Sequence, residues 1–94
     1  MKKMEGYFRV KRCGEETIHE SDIVTIAIKE EYEIYNMLFE YASDILKLDD
    51  EKEYELISDF CFDEEAYELY IEDEGKCYLA QFKIIKEEYE EEEE

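Results

Sequence analysis

Between Glu53 and Ile85 the side chains repeat with a period of two, and only extended strands on a half-buried sheet satisfy that period over so many residues. In EYELISDFCF, Tyr54, Leu56, Phe60 and Phe62 fall on one side, with Ser58 interrupting them, and Glu53, Glu55, Asp59 and Cys61 fall largely on the other. In AYELYI, Tyr67, Leu69 and Ile71 oppose Glu68, Tyr70 and Glu72. In CYLAQFKII, Tyr78, Ala80, Phe82 and Ile84 oppose Cys77, Leu79, Gln81 and Lys83. The EDEGK segment between the last two runs places Gly75 where a short hairpin loop needs a positive φ. The pattern predicts a three-stranded antiparallel meander.

The same region is strongly anionic. From Asp49 to Glu94 there are 20 carboxylates against four lysines, a net charge of -16 in 46 residues. Self-repulsion of that size opposes compaction, so solubility alone does not account for it, and the charge itself is the expected function. A chain of 94 residues that is 45% hydrophobic, with nine Tyr and five Phe, is nevertheless too apolar to be disordered throughout. It has room for one small core. The expected organisation is a single domain over residues 1–86 followed by an acidic tail over 87–94.

Upstream, residues 1–12 are the basic part, with five Lys or Arg against Glu5, which leaves -23 on the rest. Phe8 and Val10 alternate with Tyr7, Arg9 and Lys11 as in a half-buried strand, and Gly14, Glu15 and Glu16 mark its end. Arg9, Lys11 and Arg12 are expected to relieve the repulsion of acidic strands beside them; a nucleic-acid-binding arm is the alternative. Thr17 to Ile28 reads as a second strand, with Val24, Ile26 and Ile28 on one side and Thr25 and Ala27 on the other. Its β-branched residues disfavour a helix, although one starting near Ser21 is the competing reading. His19 is placed in a loop.

From Glu30 to Leu48 the period changes to that of a helix. Ile34, Leu38, Tyr41, Ile45 and Leu48 share one face, and Glu33, Asn36, Glu40, Ser43 and Lys47 share the other. Glu30, Glu31 and Glu33 suit its N-terminus, where the backbone dipole favours anions, and Asp49 and Asp50 are expected to end it. The fold class is therefore α+β: strand, strand, helix and three strands, with the helix packed on one face of an antiparallel sheet. Cys13, Cys61 and Cys77 are odd in number and widely spaced, and are expected to be reduced, buried thiols. There is no apolar run of the ~20 residues needed to span a bilayer, and the start lacks the apolar segment of a signal peptide. A cytoplasmic protein is expected.

Catalytic apparatus is missing: there is no glycine-rich phosphate loop, no nucleophile elbow and no second histidine to pair with His19. No enzyme activity, metal site or cofactor is expected. The informative feature is geometric. Outward residues on neighbouring strands lie ~5–7 Å apart, so Glu53, Glu55, Asp59, Glu68 and Glu72, extended by the turn acids Asp73 and Glu74, would form a grid of negative charge. Tyr70, between Glu68 and Glu72, would add an aromatic surface for an arginine. Duplex DNA presents one charge per ~1.7 Å of its axis, and proteins that bind it expose basic channels to match.

In size, in EYELISDF and AYELYIEDEG, and in its element order, the chain resembles the small acidic inhibitors encoded by phages and mobile elements. These include certain anti-CRISPR proteins that mimic nucleic acid. The resemblance is one of class and assigns no individual residue. It implies a phage-type inhibitor whose partner is a basic protein, a nucleic-acid-binding effector or nuclease, with no direct contact to nucleic acid or membrane; oligomeric state is left open. Two other readings share the composition: an immunity protein or antitoxin capping a basic nuclease toxin, and an assembly protein whose acidic surface only keeps it soluble.

Overall fold

Strand β1 (Lys2–Arg12) and strand β6 (Lys76–Tyr89) run antiparallel over nearly their whole lengths and form the spine of the sheet. Around them lie β2 (Thr17–Glu20), β3 (Val24–Ile28), β4 (Glu55–Cys61) and β5 (Ala66–Asp73), with helix α1 (Glu31–Leu46) crossing between β3 and β4 in the chain. This computed structural model describes residues 1–49 and 51–89. The six strands form one antiparallel sheet of order β2-β1-β6-β5-β4, with β3 also pairing with β1. The α+β class, the helix on the sheet and the β4–β5–β6 meander are as the side-chain periods predict.

Register explains why one face is apolar. Residues directly opposite in an antiparallel pair share a face, and Val10↔Ala80↔Leu69 and Phe8↔Phe82↔Tyr67 are such rows. Onto them α1 presses Ile34, Leu38 and Ala42, all fully buried, and Met4, Ile28, Ile71 and Ile84 complete the core. Aromatic contacts add to the burial: Phe8 meets Phe82 in a tilted pair with ring centroids 4.9 Å apart, and Tyr67 meets Phe60 edge to face at 4.9 Å. Gly6 lies at a register shift between β1 and β6. A Cβ there would stand 2.0 Å from the Lys83 carbonyl oxygen, so the close approach of the two strands requires glycine.

Three local predictions need correction. The strand expected over Thr17–Ile28 is two, β2 and β3, laid end to end along the same side of β1. Ser21 makes the break: its N–H donates to the Phe8 carbonyl at 2.8 Å while its Oγ accepts from the Phe8 N–H at 2.9 Å, so a side chain substitutes for a backbone acceptor. His19 is consequently in β2 rather than a loop, with its ring hydrogen-bonded to Tyr41 Oη.

The helix begins as expected. Glu33 accepts from the N–H groups of Glu30 and Lys29 at 2.7 and 2.6 Å, and these two bonds hold its carboxyl below the usual carboxylate range. It ends sooner than expected. Lys47 adopts a left-handed conformation, φ 54°, and the Leu48 N–H turns back to the Ser43 carbonyl at 3.1 Å. Asp49 instead orders the following loop by accepting from the Glu51 N–H at 3.0 Å, and Asp50 lies outside the described residues.

The third correction concerns cysteine. Cys13 and Cys77 are half-buried and joined as a disulfide across 64 residues, with Cα atoms 5.5 Å apart; Cys61 is free and half-buried. Neither composition nor spacing foretells that pairing, because only the β1–β6 register brings the two residues together. At its other end β6 continues through Glu87 and Glu88 to Tyr89, paired with Met4, Lys3 and Lys2. The acidic tail predicted from 87 thus begins within the sheet, and its remainder, Glu90–Glu94, lies outside the described residues. Among the described residues no helix is long and apolar enough to cross a membrane.

Candidate partner-binding surface

The face of the sheet away from α1 carries the predicted strand carboxylates Glu55, Asp59, Glu68 and Glu72, and the same register that builds the core places them. Asp59↔Glu68↔Gln81↔Arg9 is one row across four strands, Ile57↔Tyr70↔Leu79↔Lys11 is the next, and Glu55↔Glu72↔Cys77 follows. Acids therefore occupy the β4–β5 half of this face and cations the β1 half. Neither β4 nor β5 contains a Lys or Arg.

Where the two halves meet, a neutral amide bridges them. Gln81 is fully buried; its Oε1 accepts from Arg9 Nη2 and Nε at 2.6 and 2.9 Å, and its Nε2 donates to Glu68 and, at 3.3 Å, to Glu64. Arg9 also approaches the Glu64 carboxylate at 3.9 Å. Arg9, Lys11 and Arg12 do not lie beside the acidic strands as expected, because β6 stands between β1 and β5; Arg9 is linked to Glu68 through Gln81 instead. Glu68 shares the face of the other carboxylates, yet it is only 7% exposed and serves this network more than the outer surface.

Glu53 lies exposed just before β4, and Glu55, Asp59 and Glu72 are exposed on the strands. Asp59 also accepts from the Phe60 N–H at 2.8 Å, which orients its carboxylate. Tyr70 is half-buried among them; burial, with the neighbouring Glu68, Asp59 and Cys61, raises its phenol above the ordinary value and keeps it protonated. The turn acids are differently placed. Lys52 Nζ holds Asp73 at 3.2 Å and Glu74 at 2.8 Å, hydrogen bonds that raise its own pKa. Asp73 is half-buried, and alternation from Glu72 puts it toward the helix side. The exposed set without an ion pair among the described residues is therefore Glu53, Glu55, Asp59 and Glu72, flanking Tyr70.

Leu56 and Phe62 share the apolar side of the pattern with Tyr54 and Phe60, yet Leu56 is 47% exposed and Phe62, just beyond the strand, 82%; Ile57, on the opposite face beside Tyr70, is 65% exposed. Alternation correctly assigns Leu56 to the helix side, but α1 packs mainly over β1, β3, β5 and β6 and reaches β4 near its end, where the Tyr35 hydroxyl donates to the Asp59 carbonyl at 3.2 Å, so Leu56 is left uncovered. One group of metal-type donors also comes together, Cys61 Sγ with the carboxylates of Glu64 and Glu68, all within 4.8 Å of one another. Both carboxylates accept from Gln81 Nε2, whereas Cys61 is a free thiol.

Comparison with protein families, curated proteins and solved structures finds no match to this chain.

Proposed function

We propose that this protein is a non-enzymatic inhibitor that occupies the basic nucleic-acid-binding groove of a target protein, presenting carboxylates where the target expects phosphates. One observation carries the reading: Glu55 stands directly opposite Glu72, and Asp59 directly opposite Glu68, on two neighbouring strands devoid of cations. Like charges directly across a strand pair destabilise a sheet. An arrangement that works against the fold is supported when a partner uses it. Cations of a basic groove would neutralise the β4–β5 surface on docking, and Tyr70 offers an arginine a ring face beside two carboxylates.

The test starts with a pull-down against Cas effectors, restriction enzymes and toxin nucleases, followed by competition with the captured target's own DNA or RNA. The inhibitor and the nucleic acid should exclude each other, and the affinity should fall steeply as salt is raised. A target that holds both ligands at once with undiminished affinity would overturn the groove-blocking mechanism. A toxin nuclease as the captured target would identify an immunity role exercised through the same surface.

A further inference from the structure

The two margins of the sheet are built differently. On one side the margin is shared by β2 and β3, strands of four and five residues, separated by the Ser21 break and accompanied by a register shift between Val10 and Lys11. Short strands, bulges and interruptions are the devices by which sheets avoid pairing with other chains. On the other side β4 is seven residues long, pairs as a strand only with β5 among the described residues, and does so without a register shift. Near its end the Asp59 carbonyl accepts from the Tyr35 hydroxyl at 3.2 Å and the Phe60 N–H donates to the Asp59 carboxylate, which leaves the Glu55–Ser58 part for a further strand. It contains no proline and no lysine. Its margin bears the exposed Leu56 and Ile57, and Phe62 stands at its end beside Phe60, with ring centroids 5.0 Å apart.

Charge decides what such an edge accepts. A second copy of this chain would bring its own Glu53, Glu55 and Asp59 against the same residues, in a molecule of net charge -19. A strand with alternating cationic and apolar side chains meets no such opposition. Its cations would lie on the open face against Glu55, Asp59 and Glu72, and its apolar residues would cover Leu56 and Phe60 on the helix side.

We infer that the outer edge of β4 is a docking strand for an extended basic segment of the partner protein, which adds to the sheet as a further strand. Backbone hydrogen bonds supply the attachment and the flanking carboxylates select the sequence. The inference rests on the reading that the partner is basic, and it adds the mode of contact.

A short peptide of alternating lysine and valine, compared with one of alternating lysine and proline, tests it on the full chain. The two carry the same charge, but proline has no N–H to give and cannot continue a strand ladder. The lysine–valine peptide should bind about tenfold tighter or more, the effect of one or two net hydrogen bonds. It should also slow amide exchange in β4, which the proline peptide should not do. Equal affinity for both peptides, with exchange in β4 unchanged, would overturn the edge site while leaving the acidic-surface reading standing. Failure of the lysine–valine peptide to bind at low salt would overturn it as well. So would β4 amides already protected in a dimer of the chain alone, since the occupant would then be a second copy. The groove-blocking reading is decided separately, by nucleic-acid competition.

Discussion

Gln81 shows how a single neutral residue lets opposite charges share one sheet face. An Arg or Glu at this fully buried position would place a second like charge beside Arg9 or Glu68, whereas the amide accepts from one and donates to the other. The Cys13–Cys77 pair acts at the same scale, where β1 ends and β6 begins, beside the hydrogen bond from the Cys13 N–H to the Cys77 carbonyl at 3.0 Å. Closing a loop of 64 residues is worth about 4 kcal/mol in the chain-entropy account, with about 2 kcal/mol a common outcome in practice. Reductant should therefore lower the melting temperature by roughly 10–20 °C, the usual conversion for a domain of this size. The double substitution Cys13→Ser with Cys77→Ser should reproduce that loss and abolish sensitivity to reductant. Thermal unfolding with and without reductant, beside thiol titration of the denatured chain, checks it; an unchanged melting temperature would show that the bond contributes nothing to stability. None of this was legible beforehand, because the cysteine pattern holds no pairing information and Gln81 looks like any outward polar residue until register sets it between Arg9 and Glu68.

At the scale of elements, side-chain period determined most of what was readable. The faces of β1, β5 and β6 and the buried stripe of α1 follow from which residues recur at two or at about 3.6, and the core contains them as expected. Period tells which side a residue faces, not whether anything covers that side, and so the exposure of Leu56 and Phe62 could not be read. Strand ends were hidden for a related reason: a Ser21 side chain substituting for backbone and a Lys47 in the left-handed conformation leave no mark in an apolar pattern. The acidic site was legible as a face but not in its membership, since only register separates Glu55 and Glu72 from the engaged Glu68 and the Lys52-held Asp73 and Glu74. The β4–β5 pairing yields a prediction that sets stability against binding. Glu72→Lys converts Glu55↔Glu72 from a like-charge to an opposite-charge pair and should stabilise the fold by about 0.5 kcal/mol, raising the melting temperature by a few degrees. The same change should weaken binding to a basic target. Denaturant unfolding and target affinity measured on the one variant decide the matter, and a variant that is less stable than the parent would remove the argument that these carboxylates oppose each other.

For the whole molecule the question is whether charge favours or opposes the folded state. Thirty carboxylates face eleven cations. The ion pairs of the described residues are on or near the surface, among them Lys2 with Glu87 at 2.8 Å and Lys52 with Asp73 and Glu74. Such pairs contribute about 0–1 kcal/mol each and are short in range. Repulsion among the remaining carboxylates is individually weaker but acts over the whole surface when the Debye length is ~30 Å, at 0.01 M salt, and is nearly extinguished when it is ~3 Å, at 1 M. Repulsion is therefore the larger effect, and the protein should gain stability as sodium chloride is raised through that range at constant pH, with its melting temperature climbing by several degrees. Binding to a basic target should weaken over the same range, because the attraction being screened there has the opposite sign. Opposed responses to one variable would identify surface charge as the common cause. A melting temperature that falls with salt would mean that ion pairs outweigh repulsion, and the acidic surface would then need no partner to account for it.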